Sequence, residues 1–152
     1  MFTAQDIVAS LARENVILKH LYSKVTPEIA DYRLSDSQRS IRELLIYMTT
    51  MGSNMVTSLQ AGAYDFALVK EVTEKQAARG IESFPQMMDE QHEIVSAYLL
   101  GLSQEDLDKE YNLFGMGNQT ARQYILEVIV KNFPAYRMML FLLLKSAGVQ
   151  NL

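Results

Sequence analysis

The chain has 152 residues, enough for one domain that buries roughly two thirds of its unfolded surface. About half of them (49%) are apolar, which supports a packed core and argues against disorder. A net charge of −4, with no local cluster of Lys and Arg, leaves no basic footprint for nucleic acid, and the absence of Cys removes disulfides, thiolate catalysis and Cys-ligated zinc.

The opening MFTAQDIVASLAREN is amphipathic, with neither a basic leader nor a continuous apolar run, so a cytoplasmic protein is expected. The spacing predicts a first helix from about Ala4 to Lys24, with Ile7, Leu11, Leu18, Leu21, Tyr22 and Val25 facing inward. Thr3 is its expected N-cap, and Asp6 suits the positive end of the helix dipole. His20 falls on the outer side with Arg13 and Lys24, the place of a solvated histidine.

The segment TPEIADYRLSDSQ reads as a loop and leads into Ser40-x-x-Glu43, a capping box. A second helix is predicted from about Ile41 to Leu59. Its core stripe is Ile41, Leu44, Leu45, Met48, Met55, Val56 and Leu59. Tyr47, Met51 and Asn54 form a neighbouring stripe. The connection AGAYDFALVKEVTEKQAARG is long, with at most a short helix from about Thr73 to Arg79.

A third helix is predicted from about Ile81 to Leu102, with Pro85 tolerated in its first turn. Phe84, Met88, Gln91, Val95, Tyr98 and Leu102 give its face, and His92 lies at the flank. Ser103-x-x-Asp106 opens a short helical turn, and YNLFGMGNQT reads as an irregular loop or hairpin.

The last helix, Thr120 to Gly148, is the longest apolar segment and would span roughly 40 Å. Thr120 and Gln123 form a capping box, and Gly148 a C-terminal stop. Ile125, Val128, Ile129, Asn132, Phe133 and Tyr136 begin one face, continued by Leu140 and Leu143. Pro134 is expected to remove a backbone bond and bend the helix. Glu127, Lys131, Arg137 and Lys145 interrupt it well short of the ~20 apolar residues of a membrane span. The order of elements predicts a single all-α domain over residues 1–152, an antiparallel four-helix bundle with long connections.

Known catalytic constellations are missing. Asp89-x-x-His92 is the sole approach to a di-iron Glu-x-x-His motif, and the two histidines sit on different predicted helices. The segments DYRLSDSQRSIRELLIYMTTMG, FGMGNQTARQYI and NFPAYRMMLFLLLKSAG resemble the DinB-like family of damage-inducible four-helix proteins. That resemblance implies a homodimer and one divalent zinc or nickel ion on three histidines, with metal-dependent thiol transfer as the chemistry of several members.

The family's first histidine position corresponds to Tyr47 in ELLIY, and the other two to Asn132 and Tyr136 in NFPAYR. All three ligands are therefore replaced. Phenol and amide are poor donors for zinc or nickel, so no metal and no other cofactor is expected. The bland reading of these three is a hydrogen-bonded polar patch in the core. The functional reading is a retained pocket for a small molecule, with Asp31, Arg33 and Arg137 supplying charge at its mouth. His92 stands as the alternative metal ligand. Three functions compete: a metal-free dimeric binding or regulatory module, a transferase or hydrolase using tyrosine for proton transfer, and a purely structural dimer. Nucleic acid and membrane are not among the expected partners.

Overall fold

A computed structural model describes residues 3–152, so the part of the N-terminal reading that falls on Met1 and Phe2 lies outside the described residues. Helix α1 (Ala4–Tyr22) begins at Thr3, whose side chain accepts from the Asp6 backbone N–H while Asp6 reaches back to the Thr3 N–H. The same reciprocal cap starts α2 (Ile41–Met48) at Ser40 and Glu43, the five-residue α6 (Gln104–Asp108) at Ser103 and Asp106, and α7 (Ala121–Tyr124) at Thr120 and Gln123. Between α2 and α6 lie α3 (Met51–Ala61), α4 (Phe66–Arg79), a tight 3₁₀ turn at Ile81–Ser83, and α5 (Phe84–Gly101) with Pro85 in its first turn. Two short antiparallel strands, β1 (Glu110–Tyr111) and β2 (Gln119–Thr120), pair Glu110 with Thr120 and close the expected hairpin. The chain finishes with a π segment (Ile125–Val130) and α8 (Asn132–Ser146).

These elements form an antiparallel four-helix bundle whose rods are α1, α2 with α3, α5, and α7 continued through the π segment into α8. α1 packs on α5 and α8, α2 on α8, and α3 on α5 and the π segment. Leu18, Leu44, Met48, Phe84, Ile129 and Leu140 are fully buried at the centre. Among the described residues no helix is long and apolar enough to cross a membrane.

Three elements differ from the sequence reading. The second rod is broken at Thr49 and Thr50, whose hydroxyls bond back to the carbonyls of Ile46 (2.7 Å) and Tyr47 (3.2 Å). Such bonds give the backbone an alternative to the helical ladder. From α5, the buried Gln91 bridges the break: its Nε2 donates to the Met48 carbonyl (2.7 Å), and its Oε1 accepts from the backbone N–H groups of Gly52 (2.7 Å) and Ser53 (3.3 Å). Gln91 thus serves as C-cap of α2 and N-cap of α3 together.

The connection before α5 holds a helix from Phe66, not from Thr73. Asp65 caps it, accepting from the N–H groups of Ala67 (2.9 Å) and Leu68 (3.0 Å). No residue of α4 is buried, so it shows little apolar stripe for sequence reading to catch.

In the last rod, the irregularity lies ahead of Pro134. The Lys131 N–H bonds to the Leu126 carbonyl, five residues back, at 3.0 Å. Proline has no N–H, and its ring crowds the carbonyl four residues earlier, here that of Val130. The wider π turn ends at Val130 and lets the chain reach Pro134 in a changed register.

Replacing Gln91 by Met keeps its length but strands the Met48 carbonyl and the Gly52 N–H in the core. Gln91→Met is expected to destabilise the fold by about 3 kcal/mol, read from guanidinium unfolding followed by circular dichroism. Gly52→Ala should cost about 1–2 kcal/mol. A Cβ there would lie 3.1 Å from Val95 Cγ2, 3.2 Å from Gln91 Oε1 and 3.3 Å from Phe133 Cε2. Wild-type midpoints for both variants would remove the bridge from the account of the fold.

Candidate functional site

Tyr47 lies in the last turn of α2, just before the bridged break, and Tyr136 in the second turn of α8. Because α2 packs directly on α8, the two rings meet edge to face, with centroids 5.0 Å apart and planes at 67°. Asn132 is half-buried one turn earlier on α8, on the same side as Tyr136 by helical spacing. Two of the three family-position residues are therefore in contact, and the third is aligned with them.

Burial, reinforced by the neighbouring Tyr136 hydroxyl, pushes the Tyr47 phenol well above its usual range. The Arg39 guanidinium sits over the Tyr47 ring, 4.2 Å from its centroid, and opposes that shift without reversing it. Tyr47 is thus a neutral phenol at physiological pH, a hydrogen-bonding group and not an anionic donor. The donor set of two phenols and an amide does not match what zinc or nickel prefers.

The histidines lie elsewhere. His20 is exposed on α1. His92 is half-buried on α5, with Nε2 3.4 Å from Ser96 Oγ, and faces a void of about 10 Å³ beside Leu11, Asn15 and Phe133. It does not join Tyr47 and Tyr136. Among the described residues, no group of three or more His, Asp or Glu side chains is placed to hold a metal ion.

On its outer side Tyr47 lines a cleft of about 760 Å³ between α2 and α4. Arg39, Arg42 and Arg33 stand along the α2 side, and Val69, Thr73 and Ala77 along α4. Arg33 lines the cleft, facing Glu43 at 3.4 Å. Asp31 does not line the cleft: its carboxylate accepts two hydrogen bonds from Arg42 (2.8 and 3.4 Å), which hold Asp31 below the usual carboxylate range. Arg137 goes to another face of the bundle. Its Nε makes an ionic contact of 2.7 Å with Glu14 of α1, poorly aligned for a hydrogen bond.

Further in, Tyr47, Tyr64, Val69 and Thr73 also wall a second space of about 250 Å³, where Met55, Phe114 and Val128 are exposed to one another. Tyr64 joins the walls through an aromatic cluster, 4.7 Å from Phe66 and 4.9 Å from Phe114 between ring centroids. Burial raises the Tyr64 pKa. Sequence reading missed Arg39, Tyr64 and the α4 wall. The N-cap signal at Asp65 was the one local clue to α4, and nothing local marks Arg39, because its role depends on where α4 lies.

No family model matches this sequence, and no curated protein matches it. Solved structures do. A DinB-like protein from Bacillus subtilis superposes with a TM-score of 0.71 at 18% identity, over 96% of this chain and 94% of that one. An uncharacterised protein from Clostridium difficile 630 superposes with a TM-score of 0.65 at 11% identity, over 92% and 94%. At such identities the likeness is one of architecture, and the chain has the fold of the DinB-like helical bundles.

Proposed function

We propose that this protein is a metal-free, small-molecule-binding member of the DinB-like architecture, acting as a binding or regulatory module in the cytoplasm. The observation that carries this reading is the cleft beside Tyr47. It is of ligand size, with apolar walls at Ile46, Val69, Ala77 and Ile81 and charged side chains of both signs around them. It opens beside Tyr47, one of the three positions where the resemblance locates the family's chemistry, while Tyr136 packs against that ring and, like Asn132, is not part of the cleft lining. The Tyr47 phenol can orient a ligand by a hydrogen bond and aromatic contact. A general base at neutral pH would need a phenol pKa moved down, whereas that of Tyr47 is moved up. The geometry therefore favours binding over tyrosine-driven transferase or hydrolase chemistry.

The test has two parts on tag-free protein. Elemental analysis after incubation with zinc or nickel and dialysis should return well under one metal per chain, and a stoichiometric ion would overturn the metal-free reading. A fragment screen by NMR should shift Tyr47 and Tyr64 resonances together. A screen in which no fragment moves either ring would remove the binding reading.

Alkaline titration checks the state of Tyr47. The phenol pKa is raised in the folded protein, so its contribution to stability is fully present below the unfolded value near 10. That contribution is lost as pH rises from there towards the folded pKa, because the unfolded chain gives up the proton first. Unfolding free energy should fall above about pH 10, and Tyr47→Phe should flatten part of that fall. Tyr98, pushed up to about 12 by burial, supplies a remainder that the variant leaves in place.

The homodimer implied by the resemblance belongs to the same proposal. Its support is the outer stripe of α8, where Met138, Met139 and Leu142 are about half exposed and, with Leu34, border a groove of about 770 Å³. Contiguous apolar surface of this kind marks association sites. Sedimentation velocity at micromolar concentration should give a dimer for the wild type and a monomer for Leu142→Glu. A wild-type monomer would rule the dimer out.

A further inference from the structure

The two spaces beneath α4 differ in chemistry, and that difference selects a ligand class. Besides Lys70, Asp36, Glu43 and Glu74, the outer cleft carries three arginines on its α2 side. Two of them face carboxylates already, Arg33 with Glu43 and Arg42 with Asp31. Arg39, exposed and also bordering the α8 groove, is in no ion pair among the described residues; its guanidinium carbon sits 4.2 Å from the Tyr47 ring centroid, with donors left for a ligand. The inner space has Met55, Phe114 and Val128 among its walls, with Met51 beside them. Tyr47, Tyr64, Val69 and Thr73 belong to both spaces, so the two meet at these four side chains.

Resting on the reading of the cleft as a ligand site, we infer that it takes an amphiphilic organic acid: an apolar chain or ring passing between Tyr64 and Thr73 into the inner space, and a single anionic group held by Arg39. A planar guanidinium suits a carboxylate, which can accept two parallel hydrogen bonds from it. Contact with the Tyr47 ring restrains the guanidinium and so lowers the entropy lost on binding. Methionine in the inner walls adapts to the shape of an apolar tail. A strongly polar ligand would leave the inner space unfilled, and a neutral apolar one would leave Arg39 unused.

Isothermal titration calorimetry on the full chain at neutral pH, with octanoate, octan-1-ol and acetate as probes, tests the assignment. Octanoate is expected to bind one per chain and octan-1-ol at least tenfold more weakly, with no saturable binding of acetate. Arg39→Gln should weaken octanoate by about tenfold, the loss of one charge-assisted contact, and leave octan-1-ol as it was. Thr73→Trp fills the passage from an α4 position that is only half-buried, so it spares the core and should weaken both eight-carbon probes. Circular dichroism of both variants should match wild type.

Octan-1-ol binding as tightly as octanoate, or octanoate unaffected by Arg39→Gln, would overturn the anionic head group while leaving the cleft a binding site. Octanoate binding that ignores Thr73→Trp would place the chain outside the passage and overturn the proposal. No saturable octanoate binding, with fragments still shifting Tyr47 and Tyr64, would defeat this ligand class alone. The same silence from the fragments would defeat the cleft reading with it.

Discussion

The side chain of Gln91 is the constraint on which the second rod depends. A helix interrupted in a core exposes carbonyls on one side of the break and N–H groups on the other, and water cannot reach them to compensate. Gln91 has one donor and one acceptor end, and it spends both on the gap. The bond requires α5 to come close to α3, which in turn requires a residue without a side chain at Gly52, where Val95 and Phe133 crowd in. Break, bridge and glycine form one device. Its effect is to end α2 at Met48 and leave Tyr47 in a final turn, facing Tyr136 on one side and the cleft on the other.

What the sequence made legible follows the range of the interactions involved. The N-cap at Thr3, the capping boxes at Ser40 and Thr120 and the turn opened by Ser103 are local signals, three residues across, and in the fold all four are reciprocal caps. The core stripe Ile41, Leu44, Leu45, Met48, Met55, Val56 and Leu59 is buried throughout even though the rod breaks within it. The break itself could not be read, because Gln91 lies 43 residues from Met48 and on another helix. Nothing in MTTMG announces that a distant side chain will cap it. The contact of Tyr47 with Tyr136 needs only the packing of two rods, α2 on α8. The charges at the mouth needed more, since Arg137 had a partner in Glu14 on a third helix that no spacing rule could supply.

The irregular last rod obeys the same logic. Pro134 forces a local change, but the strain appears as a π segment upstream, where Ile125 and Ile129 remain buried while the turn widens. Shifting the register there keeps Phe133, Leu140 and Leu143 in the core beyond the proline. Local sequence identified the cause, and packing chose the remedy.

Helix α4 explains why the bundle has a cleft at all. A helix that buried an apolar stripe would close onto α2 and fill the space between them. α4 buries no residue completely. It is fastened at its ends: by the Tyr64, Phe66 and Phe114 aromatic contacts at its start, and by Arg79, its last residue, which donates two hydrogen bonds to Glu90 of α5 (2.6 and 3.0 Å). A two-point arginine–carboxylate contact holds direction well but, partly exposed as this one is, adds little stability. Between the fastenings the helix touches α2 without burying a side chain completely, and few buried contacts place a segment at the low-stability end of a fold. The long connection, the unburied helix and the preserved space are therefore one feature. A chain selected only for a closed core would have packed Val69 and Val72 inward, whereas here both remain partly open to solvent.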